Sequence, residues 1–319
     1  MKTTTIGLVA AILMAVAPRA HALDQIEAGN TCDAAYAALP HGTILDLLDP
    51  QAPADRRAAA LAAYQRLAQM KECPEFGYTL GQLYRHGEYL PGNPLPQDVA
   101  KARELILPMA ESGYLPAYAD LAEMEMRHAN TREAMKWTQV YLYFVDHVLV
   151  AGAKDADAAQ YERSAYNANL LGRVEFLWNH VPPSLPRRLV NEDLNAYLHD
   201  HGDDVEQRMR ERQNGLHLRA SAQDSLLPYT VSGSSSWYHN LLDDLSAASA
   251  SWIVEVMPSG QIGRVVLENF VPNEAVTRQM KSVLARYKFA PLDGQLSKTV
   301  RVSVVVGNTE SRQLNGRRR

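Results

Sequence analysis

Trp252-Ile253-Val254-Glu255-Val256-Met257, then Pro258-Ser259-Gly260, then Gln261-Ile262-Gly263-Arg264-Val265-Val266-Leu267-Glu268 is the stretch on which the reading of this chain turns. Trp252, Val254 and Val256 alternate with Ile253, Glu255 and Met257, which places three apolar side chains on one face of a strand. Proline pre-sets φ and glycine accepts positive φ, so Pro258-Ser259-Gly260 is expected to be a hairpin turn. In the return strand Val265 and Leu267 face one way, Arg264 and Glu268 the other. Downstream, Pro272-Asn273-Glu274 opens a helix with Asn273 as the expected N-cap. Val276, Met280, Val283, Leu284 and Tyr287 form one helical stripe. Val300, Val302, Val304 and Val306 then alternate with Arg301, Ser303 and Val305. A three-stranded antiparallel sheet with one helix on its apolar face satisfies these patterns.

Within this region, Gly260-x-x-Gly263-x-Val265 and the later Tyr287-x-Phe289-x-Pro291-x-x-Gly294 resemble the TonB C-terminal domain family. The resemblance covers about a fifth of the chain. It implies a small β-β-α-β domain over residues 251–307 that works in the periplasm by contacting other proteins.

At the other end, residues 1–22 read as a secretory signal. Lys2 gives the positive start, Ile6 to Ala17 is apolar, and Ala20-His21-Ala22 has the form of a cleavage site. The apolar run is short for a bilayer span, although an uncleaved anchor is the alternative. The expected mature chain is periplasmic and does not span the membrane. The 319 residues carry a formal charge of −4, and the balance is uneven. Residues 23–250 sum to −12 and residues 251–319 to +6. That asymmetry suggests separate domains that attract each other, or a basic half that leans on an anionic surface; ordinary solvated surface is the other reading. Residues 308–319, ending Arg317-Arg318-Arg319, read as a disordered basic tail. An acidic, exported chain is not expected to bind nucleic acid. The two cysteines, Cys32 and Cys73, are expected to pair in an oxidising compartment; two buried thiols are the other reading.

Between these ends, residues 23–215 read as helical. Asp55 to Met70 is Ala-rich, with Leu61, Tyr64 and Leu67 on one stripe. Leu80-Gly81-x-x-Tyr84-x-x-Gly87, then Asp98-x-x-Lys101-Ala102 and Met109-Ala110-x-x-Gly113, make one unit. Leu121-Ala122 and Glu133-Ala134-x-x-Trp137 make a weaker second copy. These units resemble Sel1-like repeats, relatives of the TPR helix-turn-helix. In that pattern Gly81, Ala102 and Ala134 let paired helices approach, while Tyr84, Leu105 and Trp137 fill the gaps. The loop Glu88 to Gln97 is longer than the pattern, and the second copy lacks the Gly and Tyr of its first helix. A further helix is expected around Ala156 to Leu171. Asn191 to Arg212 reads as a polar helix, and residues 216–250 as a connection with a short helix around Trp237 to Leu245. The fold class is thus α+β and multidomain, helical repeats followed by the small sheet domain.

No nucleophile elbow and no phosphate-cradling glycine loop occurs in the sequence. No cofactor is expected and no catalytic residue is assigned. His199-x-His201, with Asp200, Asp203 and Asp204, is the densest group of potential metal ligands. On a helix, residues two apart point about 200° apart, so the pair would share an ion only in a loop or strand. Otherwise it is a solvated turn. Tyr78, Tyr84, Tyr89, Tyr114 and Tyr118 either line a concave groove or pack between helices. The expected partner contacts are Tyr84, Tyr89, Tyr114 and Tyr118 in the groove, and Arg301, Ser303 and Val305 on the strand Ser297 to Val306, taken as a sheet edge. The resulting expectation is a noncatalytic protein that binds periplasmic or outer-membrane proteins. The alternatives are an energy transducer for outer-membrane transport and a metal-dependent cell-wall hydrolase.

Overall fold

The structure, a computed structural model, describes residues 32–150, 187–219, 229–231, 248–271, 274–294 and 296–306. The signal stretch, Ala156 to Leu171, Asn273, Trp237 to Leu245 and the basic tail lie outside them. The chain divides into a unit ending at His41 and one running from Gly42 to Arg319. The described part of the first contains α1 (Cys32–Ala38). Cys32 and Cys73 are disulfide-bonded.

The second unit begins with α2 (Thr43–Leu48) and α3 (Ala54–Leu67). Two helical hairpins follow, α4 (Pro74–His86) with α5 (Val99–Glu111) and α6 (Pro116–Arg127) with α7 (Thr131–Phe144). Small residues set the spacing of the first pair. A Cβ on Gly81 would lie 2.7 Å from Ile106 Cγ1 and 3.3 Å from Ala102 O. Asp98 caps α5, its carboxylate accepting from Lys101 N at 2.9 Å. The long loop after α4 is tied back to that helix. Asn93 Nδ2 donates to Leu83 O and Gly87 O, and Gln97 Nε2 to Arg85 O.

Next comes α8 (Arg187–Arg219), longer than its expected bounds. Its composition is polar, yet Val190, Tyr197, Val205 and Met209 are buried, at helical spacing. It packs on α7 and α5. It also crosses the α5–α6 turn so closely that a Cβ on Gly113 would lie 2.6 Å from Met209 N. The helical core includes Tyr118, Trp137, Tyr141 and Phe144.

The sheet has the order β3-β2-β5, antiparallel throughout, formed by β2 (Ala248–Val256), β3 (Ile262–Val271) and β5 (Lys298–Val306). The expected turn is present: Gly260 N donates to Met257 O and Met257 N to Gln261 O, with Gly260 at φ +80°. The helix α9 (Ala275–Leu284) packs on β2 and β3. Tyr287, expected on the helical stripe, instead starts β4 (Tyr287–Phe289), which pairs with β1 (Tyr229–Val231). The expected connection 216–250 therefore holds the end of α8, all of β1 and the start of β2.

A second difference concerns the faces of the sheet. Only one was expected to be apolar and covered. Trp252, Ile253, Val254 and Val256 are all buried, so β2 is covered on both sides. Arg264 reaches Asp46 of α2 at 2.8 Å from the face it shares with Glu255, to which it also bonds at 3.2 Å. The helical layer thus lies on the face of Ile253 and Glu255, and the alternate face, with Trp252, Val254 and Val256, is left for α9.

Candidate functional site

Where β3 meets α4 and α6, the chain buries a polar cluster. Asp120 of α6 is fully buried. Its carboxylate accepts from Tyr78 OH at 2.5 Å, Gln82 Nε2 at 2.7 Å and Arg85 NH1 at 2.6 Å, all on α4. Asn269 of β3 adds a fourth donor, its Nδ2 at 3.3 Å. Tyr78, Gln82 and Arg85 stand four and three residues apart, so one face of α4 presents all three donors. A carboxylate stripped of water is held by charge-assisted hydrogen bonds, each stronger than a neutral one.

Asn269 Oδ1 is turned the other way. It accepts from the Phe270 amide at 2.8 Å and lies 2.8 Å from His86 Nε2. The His86 ring stacks on Phe270, with centroids 4.2 Å apart. Burial holds the His86 pKa well below the usual imidazole value, and the neighbouring Arg85 guanidinium lowers it further. His86 is thus neutral. Close by, Glu268 of β3 is buried and binds Arg301 of β5 through two contacts, 2.6 and 2.7 Å. The Glu268 carboxylate raises Arg301 well above its ordinary value. Burial pushes the Tyr114 phenol up, and the nearby Arg301 charge pulls it back.

The expected tyrosine groove divides between core and surface. Tyr118 is fully buried and hydrogen-bonded to Tyr197 of α8 at 2.7 Å. It is packing between helices, because α8 covers it. Burial and Tyr197 both raise its pKa. Tyr114 meets Tyr78 edge-on at 5.4 Å, with the Arg212 guanidinium 5.3 Å from its ring. Tyr84 is half-buried against the core, and Tyr89 is 43% exposed with Arg127 over its ring. These residues do not converge on one open surface.

Arg301, Ser303 and Val305 lie on β5 opposite Ile253, Ser251 and Ser249. All nine residues of β5 pair with β2, and among the described residues its other side meets no strand. His199 and His201 lie within α8, the geometry in which the two imidazoles diverge. His201 stacks on Tyr197 and approaches Glu111 at 3.8 Å. Among the described residues no group of three or more His, Cys, Asp or Glu is placed to hold a metal ion. No described helix is long and apolar enough to cross a membrane.

The buried cluster was not anticipated as a unit. Tyr78 was read as a groove or packing tyrosine, Glu268 and Arg301 as strand positions, and Gln82, Arg85, His86, Asp120 and Asn269 were left aside, because nothing in sequence spacing links residue 85 or 120 to residue 269. Compared with known protein families, curated proteins and solved structures, the chain matches none.

Proposed function

We propose that this chain is a noncatalytic interaction protein of the periplasm that holds an extended segment of another protein against β5. The observation that carries the reading is the nine-residue strand Lys298–Val306, paired along its whole length on one side only among the described residues. A strand end row of N–H and C=O groups is a template for a further strand, with side-chain pockets giving selectivity. The order strand, turn, strand, helix, strand supports the likeness of residues 251–307 to TonB C-terminal domains. The paired helices α4/α5 and α6/α7, with Gly81 at their closest approach, support the likeness to Sel1-like repeats. The Cys32–Cys73 disulfide supports an oxidising compartment. In this reading the helices serve as a rigid support. They cover one sheet face and the Glu268–Arg301 pair fixes β5, so the edge is presented without the entropy cost of ordering it on binding.

The test is site-specific photo-crosslinking in cells that export the full chain. A crosslinker at Ser303 or Val305 is expected to trap a partner protein, and one at Lys101, on the exposed side of α5, is not. Equal crosslinking at the three positions, or none at Ser303 and Val305, sinks the reading.

A further inference from the structure

Between the end of α9, β4 and the β2–β3 turn, a groove of about 610 Å³ has Ile262, Val265, Leu284 and Phe289 in its walls. We propose that it binds a single-chain anionic amphiphile, a fatty acid whose acyl chain lies in the groove and whose carboxylate meets Lys281 and Lys288 at the rim.

The sheet and its helix leave apolar surface uncovered here. Ile262 and Val265 of β3 stand opposite Val256 and Val254 of β2, on the face that α9 packs against. Val254 and Val256 are fully buried, whereas Ile262 and Val265 are half-buried. The half-open pair shares the groove with Leu284 and Phe289, both buried. The result is a concave apolar wall left partly wet. Its volume falls within the range of small-molecule sites, about 300–1,000 Å³.

The rim sets the ligand's charge. Among the described residues the lining holds two charged side chains, Lys281 of α9 and Lys288 of β4, and no acidic one. Both lysines are exposed, and neither forms an ion pair among the described residues. Lys281 stands in the last turn of α9, where it also offsets the negative end of the helix, so Lys288 is the freer charge. A negative group on the ligand therefore has counterparts and a positive one has none. Exposed lysines keep their ammonium groups in water, which sets the anion at the rim and the carbon skeleton inside. The same walls favour an acyl chain over the end of a peptide. A buried peptide brings N–H and C=O groups that each need a partner, and a run of CH₂ groups brings none. The groove lies on the β3 side of the sheet, away from β5, so this inference stands apart from strand addition there.

The test titrates the full chain, its Ile, Leu and Val methyls labelled with ¹³C, with octanoate, decanoate, decanol, decyltrimethylammonium and N-acetylated trivaline. Decanoate is expected to bind saturably, one per chain, and to shift the methyls of Ile262, Val265 and Leu284. It should bind about tenfold tighter than octanoate, the gain for burying two further CH₂ groups. Lys281→Gln combined with Lys288→Gln should weaken decanoate about three- to tenfold and leave decanol unchanged. Decyltrimethylammonium binding as tightly as decanoate overturns the proposal, and so does a lack of saturable shifts at these three residues. Larger shifts there from the tripeptide would give the groove to a protein terminus and overturn the acyl reading. These readouts come from the unsubstituted chain and stand whether or not the variant folds.

Discussion

Asp120 is the residue on which the helical layer and the sheet both depend. Four donors from α4 and β3 converge on it, and all are buried with it. Replacing it with alanine leaves the Arg85 guanidinium buried and uncompensated, a loss of about 3–5 kcal/mol by the usual cost of breaking a buried pair. Urea denaturation of Asp120→Ala should show this drop, and a change under about 1 kcal/mol would mean that water replaces the carboxylate. His86 gives a pH signature. Its folded pKa lies well below 6.5, so the unfolded chain binds a proton that the folded chain refuses. Its contribution is complete above about pH 6.5 and is lost as pH falls from there toward the folded value. Stability at pH 5.5 should be lower than at pH 7.5, and His86→Phe should flatten that slope. Glu255 acts in a separate, lower window. Burial pushes its pKa up, but hydrogen bonds from Ser297 and Arg264 outweigh burial and hold it below 4.5. Its share of stability is present above about pH 4.5 and is lost below it.

Among the elements, the glycines mark where one segment presses on another. Gly260 sits at φ +80° in the β2–β3 turn, and a Cβ there would meet Phe289 O of β4. Glycine is thus required twice, once by the turn and once by the strand laid over it. Gly260→Ala should destabilise by about 1–3 kcal/mol in thermal melts, the range for overpacking with backbone strain. Gly81→Ala sets helix propensity, which favours alanine by about 1 kcal/mol, against the contact with Ile106. The neighbour there is a side-chain carbon backed by Ala102 O, so the clash should win and the variant should melt lower. The sequence marked both glycines, but for the turn and the helix pair alone. It gave no hint that Phe289 lies over Gly260, or that Met209 of α8 lies over Gly113. Tyr287 continued the helical spacing of Leu284 and yet leaves the helix, because pairing with Val231 of β1 outweighs one more turn.

At the scale of the whole molecule, the sheet is wedged between α9 and the helical layer, and its inner face is charged. Asp46–Arg264–Glu255 and the Asp120–Arg85–Asn269 cluster both cross from helices to strands. The two parts should therefore unfold together. Arg264→Met is expected to shift the loss of hydrogen-exchange protection at the β2 amides and the loss of helical circular dichroism by the same amount. Separate transitions would show that the sheet holds its fold without the helices. The Cys32–Cys73 bond closes a loop of about 40 residues, worth on the order of 4 kcal/mol by chain entropy. Reduction should lower the melting temperature in proportion.

Local patterns were enough to set the three strands of the main sheet, the hairpin turn and the paired helices, because each depends on side-chain period or on residues with special backbone preferences, while the cysteine bridge followed from an isolated pair in an exported chain. The charge contrast suggested separate helical and sheet domains, but the helical hairpins and the sheet fall in one unit, Gly42–Arg319. Only the tertiary structure decided that Ile253 and Glu268 are covered, that Tyr118 is core, and that Asn269 joins Arg85 and His86. Those outcomes depend on which surfaces meet across some 180 residues of chain, and periodicity names the buried face of a strand without naming what lies against the other.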